Sequence, residues 1–453
     1  MPFDFDLLVI GAGSGGLAAA ERAASYGARV AIAEQAKPGG ACVNYGCIPE
    51  KLLDYAASFR RLNQIALSYG WRESATTFDW SYFIIAKEHH IEHLNELHLH
   101  HLKDAGVQVI QGHASFLDEH TVVVKDIPIK AEKILIAVGA KPIKPTISGV
   151  EHTITWHELY RLPKQPQSLA IIGGDPIGVK ITGSMNALGS DVTQVISEDR
   201  ILTFLDAEVS HVIQESLIRQ GVHLFSQTRT TQIERQGDRY SVKLASNTAD
   251  SLNVDSLDVD VVLVDAPRQP NLTHLNLSKV GIQLTTSGAI RVDEFSRTTH
   301  TNIFAVGDCT ERIPLTPSAI AQGRAFADAE FGAHLHRASL SWVPMSLSSH
   351  PEAATVGFSE IQAIERFGAA VRCYRTRFRP LLYCLAGGDE KTFVKVVVNQ
   401  QDSDRVLGIH MVGDGAVEII QSLAVALRLG MTKADLDTAI GIHPSSAEEL
   451  FSL

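Results

Sequence analysis

The chain has 453 residues, 45% of them hydrophobic and 20% charged, with a formal net charge of -11. That length provides for two or three domains with cores of their own, and the acidic balance excludes nucleic acid, whose phosphates are bound by clustered positive charge. No apolar run approaches the ~18 residues of a membrane span, and five cysteines in so long a chain exclude a framework of structural disulfides.

Residues 1–6 (MPFDFD) carry no basic targeting region, so the chain reads as a soluble, cytoplasmic protein in which any disulfide is catalytic. The first elements are a strand at 7–10 (LLVI), a glycine turn at 11–16 (GAGSGG) and an Ala-rich helix. A second strand at 29–33 ends at Glu34. A lone GxGxxG is weak, but here strand, turn, helix and acidic residue fall in the order of a dinucleotide-binding βαβ unit. Gly11 allows the tight turn, Gly13 admits a pyrophosphate and Gly16 lets helix and strand pack closely. Ser14 opens a helix whose N-terminus faces the phosphates, and Glu34 can accept bonds from a ribose. Next comes CVNYGCIPEK at 42–51, with Cys42 and Cys47 placed as a CxxxxC pair. Such a pair at a helix start can have a lowered pKa and close into a redox disulfide. A second βαβ begins at 168–172 (SLAII), and strands and helices fill the chain from Leu340 onward.

The segment 39–49 (GGACVNYGCIP) resembles the redox disulfide of the FAD-dependent pyridine nucleotide–disulfide oxidoreductases, most closely those of the glutathione reductase type. The resemblance continues through 137–139 (AVG), 301–308 (TNIFAVGD), 315–324 (LTPSAIAQGR) and 443–450 (HPSSAEEL), so it covers the whole chain. It implies an α/β fold with two Rossmann-like, doubly wound three-layer domains and a C-terminal α+β dimerisation domain. The implied segments are 1–145 and 270–338 for FAD, 146–269 for a nicotinamide nucleotide and 339–453 for the dimer interface. For FAD it implies Gly11, Gly13, Ser14, Gly16, Glu34, Gly40, Ala41, Cys42, Lys51, His113, Ala114, Ala137, Gly139, Asp308 and Thr316. It makes Cys47 the thiolate against the flavin and Cys42 the thiol that attacks the substrate. His443, oriented by Glu448, becomes the acid–base, reaching the site from the partner subunit of a homodimer. The implied substrate is glutathione disulfide or a relative.

The chain departs from this family where the electron donor should bind. The second turn reads IIGGDPIGVK at 171–180, so between Gly173 and Gly178 the middle glycine is Asp175, followed by Pro176 where the family has a tyrosine. A carboxylate there fills the space of the pyrophosphate and repels its charge. The two arginines that hold the 2'-phosphate of NADPH align with Ser197 and Thr203, and the glutamate favouring NADH aligns with Ile196. Asp265 and Pro267 stand where the later motif has alanine and glycine. NADPH is therefore doubtful as donor, and a protein such as ferredoxin is a candidate; the alternative functions are an ordinary NADPH-dependent disulfide reductase and a flavin-binding redox sensor without turnover. Beside the disulfide, the family's lysine and its glutamate partner have become Glu50 and Lys180, a double reversal that keeps an ion pair.

On the substrate side Arg324 matches a family arginine. A second arginine aligns with Glu21, and two tyrosines align with His90 and His98. Those histidines belong to 89–101 (HHIEHLNELHLHH), read as a polar helix with no third metal ligand, so no metal is expected. Arg375, Arg377 and Arg379 alternate along 374–379, on one face of a strand, as a solvated face or a docking patch. Cys309, Cys373 and Cys384 read as structural thiols.

Overall fold

The computed structural model describes residues 2–72, 77–247, 255–334, 337–347, 350–387 and 389–453. The chain divides into two compact units. One comprises Met1–Pro49, Tyr82–Ile143 and Ala266–Leu340; the other comprises Glu50–Ser81, Lys144–Asp265 and Ser341–Leu453.

The first unit is built on a seven-stranded sheet. Its parallel part runs Gln108–Gln111, Val30–Glu34, Phe5–Ile10, Ile127–Ile136, with Ile303–Ala305 also paired to Ile127–Ile136. The antiparallel strands Thr121–Val124 and Ala114–Asp118 extend it. Both faces of the first strand are covered, which explains its unbroken apolar run. Leu7 and Val9 pack against Leu17, Ala20 and Ala23 of helix Ser14–Ser25. Leu8 and Ile10 face Phe116, Leu275 and Ile290 on the other side. Gly16 makes the first packing possible, since a Cβ there would lie 2.0 Å from the Gly11 carbonyl oxygen.

The second unit repeats this order. Its parallel sheet runs His223–Phe225, Asp191–Val195, Ser168–Ile172, Val261–Val264. An antiparallel sheet of Thr228–Gln236, Arg239–Ser246 and Ser256–Val259 accompanies it. The same unit holds the C-terminal α+β portion, a five-stranded antiparallel sheet. There the order is Met345–Leu347, Ala353–Gly357, Arg405–Val412, Thr392–Asn399, Val371–Phe378. Helix Ala416–Arg428 lays Ile420, Ala424 and Leu427 on Val396, Ile409 and Met411 of that sheet. Its exposed face carries Val425, and past it Ile440 and Ile442 are 97% and 80% exposed.

Candidate active site

The thiol segment is fixed by glycines and one asparagine. Gly39 and Gly40 adopt φ of 97° and 62°, and a Cβ on Gly40 would come within 2.7 Å of the Gly13 α-carbon. Only glycine allows that approach, so the thiol segment rests directly on the glycine turn. Asn44 Nδ2 donates to the carbonyls of Pro38 and Gly40 at 3.1 and 3.0 Å, bracing the short helix Gly40–Asn44 that carries Cys42 and Ala41. Cys47 is the first residue of helix Cys47–Ala66. Unpaired amides at such a start favour a thiolate. Its Sγ lies 3.7 Å from Oγ1 of Thr316, the first residue of helix Thr316–Phe331.

The glycine turn beneath is open to an anion. Helix Ser14–Ser25 has no side-chain cap and no acidic residue in its first turn. A Cβ on Gly13 would meet nothing nearer than 3.9 Å. Glu34 is held in place by the amides of Ala12 and Ala36, at 2.7 and 2.8 Å. Ala137 closes the turn, its carbonyl 2.5 Å from where a Gly11 Cβ would be, and Gly139 follows at φ 65°. Gln322 Oε1 accepts from the Gly307 amide at 3.1 Å, fixing the turn that carries Asp308. Burial raises the Asp308 carboxyl, against the pull of Arg268, whose Nη1 sits 2.7 Å away. The uncapped helix start and the two fixed carboxylates fit the pyrophosphate and hydroxyls of FAD. Ala114 is buried at a strand start, and the His113 ring meets the His274 ring edge-on at 6.1 Å.

Within the second unit, Glu50 and Lys180 are brought together, with Lys180 Nζ 2.9 Å from Glu50 Oε1. Glu50 lies in the first turn of its helix, where the helix dipole also favours an acid. Lys51 instead turns to Asp54 at 2.7 Å and to the face of Tyr55. His443 Nδ1 stands 2.9 Å from Glu448 Oε2, with the histidine side chain 80% exposed. The hydrogen bond from His443, together with the Ser445 amide, holds the Glu448 carboxyl below its usual range.

The second glycine turn has the backbone of the first and a different lining. Gly13 and Asp175 both cap their helices in extended conformation, with ψ of 179° and 170°. The amides of Ala137 and Asp265 donate to Ile10 and Ile172 at 2.8 Å each, so these two residues are structural equivalents. Asp265 is 7% exposed and lies between the two outer glycines. A Cβ on Gly173 would meet its Cβ at 2.8 Å, and one on Gly178 would meet its Oδ2 at 2.4 Å. Burial and then the Asp175 charge push the Asp265 carboxyl up to about 7. Burial and Glu198 raise Asp175 as well. Ser197, Thr203 and Pro267 are exposed and Ile196 is buried. Arg200 turns to Asp199 and to the Thr203 carbonyl, each at 3.4 Å.

Comparison with known proteins decides the family. The pyridine nucleotide-disulphide oxidoreductase model matches residues 5–323, and the dimerisation domain of the same family matches 343–452. The chain belongs to this family. It is 43% identical over the full length of both chains to a protein named glutathione reductase from Nostoc sp. (strain PCC 7120 / SAG 25.82 / UTEX 2576). It is 41% identical to the glutathione reductase of Burkholderia cepacia, covering all of this chain and 98% of that one. Against the chloroplastic/mitochondrial glutathione reductase of Pisum sativum the identity is 34%, over all of this chain and 82% of the relative. As a member of the pyridine nucleotide–disulphide oxidoreductases, the protein is a flavoprotein disulfide reductase of the glutathione reductase type, and the family implies FAD.

Other family positions are distributed over both units. Glu21 and His98 are close enough to interact: burial lowers the His98 pKa and Glu21 opposes it. His90 and Arg324 are exposed on their helices. Helix Trp80–Asp104 contains the whole histidine run with His89 and His93 exposed. Arg375 is not an open docking residue: it pairs with Glu208 at 2.7 Å and Glu360 at 2.6 Å, while Arg377 stands 3.9 Å from Glu215. These carboxylates arrive from distant segments, so the strand pattern alone could not reveal them. Burial pushes the Cys309 and Cys373 thiols up to about 12 and about 11. Two residues escaped the sequence reading. Arg268 holds Asp308 at 2.7 Å, and its signal was its place directly after Pro267 in the later motif. Lys395 is 1% exposed and contacts Asp206, Glu208 and Glu360 within 2.9 Å; a lone lysine in TFVKVVVN was the visible clue. Among the described residues no helix is long and apolar enough to cross a membrane.

Proposed function

We propose that this protein is a homodimeric enzyme that reduces glutathione disulfide or a close relative through the Cys42–Cys47 pair, and that its second nucleotide fold no longer takes NAD(P)H productively. The observation that carries the disulfide chemistry is Cys47 at the head of a 20-residue helix, beside Thr316, with Cys42 braced on the glycine turn. Gly11, Gly13, Ser14, Gly16, Glu34 and Asp308 would hold FAD, which when bound would supply the electron pair for opening a Cys42–Cys47 disulfide to two thiolates. The Cys42 thiolate then attacks one sulfur of the substrate, forming a mixed disulfide and releasing the other half as a thiolate. His443 of the partner subunit gives that leaving thiolate its proton, with Glu448 stabilising the imidazolium. The Cys47 thiolate next attacks the Cys42 sulfur of the mixed disulfide, which restores the enzyme disulfide and expels the second half as a thiolate that takes its proton from water. The dimer is supported by the family's dimerisation domain and by the apolar exposure of Ile440 and Ile442 beside His443. The cytoplasm is the compartment in which this reducing chemistry fits.

The donor reading is supported by Asp175 and Asp265 in the second cradle and by the missing arginines at Ser197 and Thr203. A one-electron carrier protein such as ferredoxin, two molecules of which would be consumed per disulfide, is the donor class to test in its place. An ordinary NADPH-dependent glutathione reductase is the second reading, favoured by the names of relatives 43% and 41% identical. Anaerobic titration of the FAD-loaded protein separates them. Our reading expects no bleaching of the flavin by NADPH or NADH, but a thiolate–flavin charge-transfer band with dithionite or reduced ferredoxin. Rapid bleaching by NADPH returns the protein to the ordinary reductases.

A further inference from the structure

The chain contains its own control for the second cradle, because the first has the same backbone without the carboxylates. Gly13 and Ala137 in the first fold correspond to Asp175 and Asp265 in the second. The first helix start is open, with nothing within 3.9 Å of a Gly13 Cβ. The second, at Pro176–Ala187, likewise has no side-chain cap and no acid in its first turn. What comes to it is Asp265, delivered from the end of the neighbouring strand Val261–Val264. The amides of Gly178 and Asp175 favour its charge, while Oδ2 is a buried atom with no hydrogen-bond partner among the described residues. A carboxyl has been built into the protein at a helix start, the kind of position that binds phosphate in a dinucleotide fold.

We infer that Asp265 is the specificity-determining residue of the second nucleotide fold: its carboxyl, in the slot between Gly173 and Gly178, together with Asp175 excludes the pyrophosphate of a dinucleotide. This rests on the reading that NAD(P)H binding is lost, and it assigns the cause. The charged groups around the slot are few. Asp175 and, behind it, Glu198 are acidic, and Lys180 opposes them while paired to Glu50. With two carboxylates sharing one slot, the exclusion is strongest when both are ionised and relaxes as Asp265 takes up a proton. Loss of the arginines at 197 and 203 weakens only the 2'-phosphate contact, so the two causes are separable.

The probe that isolates the pyrophosphate is ADP-ribose, which has neither a 2'-phosphate nor a nicotinamide. Calorimetric titration of the FAD-loaded protein at pH 8 and pH 6 compares the wild type with Asp265→Asn and with the double variant Asp265→Ala, Asp175→Gly. The isosteric Asn variant guards against a folding defect, which thermal melting checks. The double variant should bind ADP-ribose about 100-fold more tightly than wild type at pH 8, with Asn between them. Wild-type affinity should rise on going to pH 6 while that of the double variant stays level. Affinities within threefold of one another at both pH values overturn the inference. Flavin bleaching by NADPH in the same wild-type sample tests the underlying reading separately. Bleaching with a tight-binding double variant leaves Asp265 as a tuner of affinity and removes the loss of NADPH. No bleaching with an unimproved double variant leaves the loss and removes Asp265 as its cause.

Discussion

His443 shows how much a single exposed side chain can carry. Among the described residues its ion-pair partner is Glu448, and its side chain is otherwise 80% exposed. Replacing it by glutamine removes the proposed proton donor and leaves both thiols in the sequence. Turnover with a disulfide substrate should fall by about 10²–10⁴-fold, while the charge-transfer band on reduction remains. Loss of the band together with turnover would place His443 in the thiol environment rather than in proton transfer. Asp265 leads to a pH prediction. Its folded pKa of about 7 lies above the unfolded value of 3.8. The protonated form is therefore the one folding favours, and its contribution is complete below the unfolded value. That contribution declines as pH rises and is gone above about 7. Asp265→Asn should gain on wild type across that window, by up to about 4 kcal/mol at pH 8. Denaturant melts at pH 4 and pH 8 measure it, and an unchanged difference between them contradicts the buried, protonated carboxyl.

At the scale of elements, ion pairs tie segments that are distant in sequence. Glu50 and Lys180 join helix Cys47–Ala66 to helix Pro176–Ala187, each side chain about one-sixth exposed, at 15% and 16%. Glu50→Lys or Lys180→Glu alone puts like charges together and should cost roughly 3 kcal/mol. The exchanged pair should recover to within about 1 kcal/mol, the non-additivity that a double-mutant cycle reads. Lys395 ties strand Thr392–Asn399 to Asp206, which caps helix Ala207–Arg219, and to Glu208 and Glu360. Lys395→Met strands those carboxylates and should destabilise by roughly 3–5 kcal/mol in urea titration; a loss below 1 kcal/mol would mean they relax into solvent. The elements were legible where a local rule governs them. The run LLVI, the glycine turns and the order of the two βαβ units follow from burial on both faces and from turn geometry. The match of Glu50 to Lys180 was legible too, because both ends changed sign. Lys395, Arg268 and the partners of Arg375 were not, since their carboxylates come from segments between 15 and 189 positions away. No periodicity encodes such meetings. The slot filled by Asp265 was half legible: the residue stood out, its burial between two glycines did not.

On the scale of the whole molecule, the proposed site is completed only by a second copy. Sedimentation should give a species of twice 49.2 kDa. Charging the exposed apolar pair, by Ile440→Asp with Ile442→Asp, should yield monomers that keep FAD and lose disulfide turnover. Monomers with full turnover would remove the partner's His443 from the chemistry. The depth of Cys309 has a consequence at the bench. Fully buried, with its thiol pushed up to about 12 by that burial, it should resist alkylating labels in the native protein, as thiolates are the reactive form. Cys373, pushed up to about 11 by burial, should react slowly, and the exposed Cys384 should be the first of the three to be labelled. A native thiol count taken before and after mild reduction therefore has a low, steady background. If Cys42 and Cys47 form the proposed redox disulfide, two further equivalents should appear on reduction, which would let the protein be titrated without a substrate.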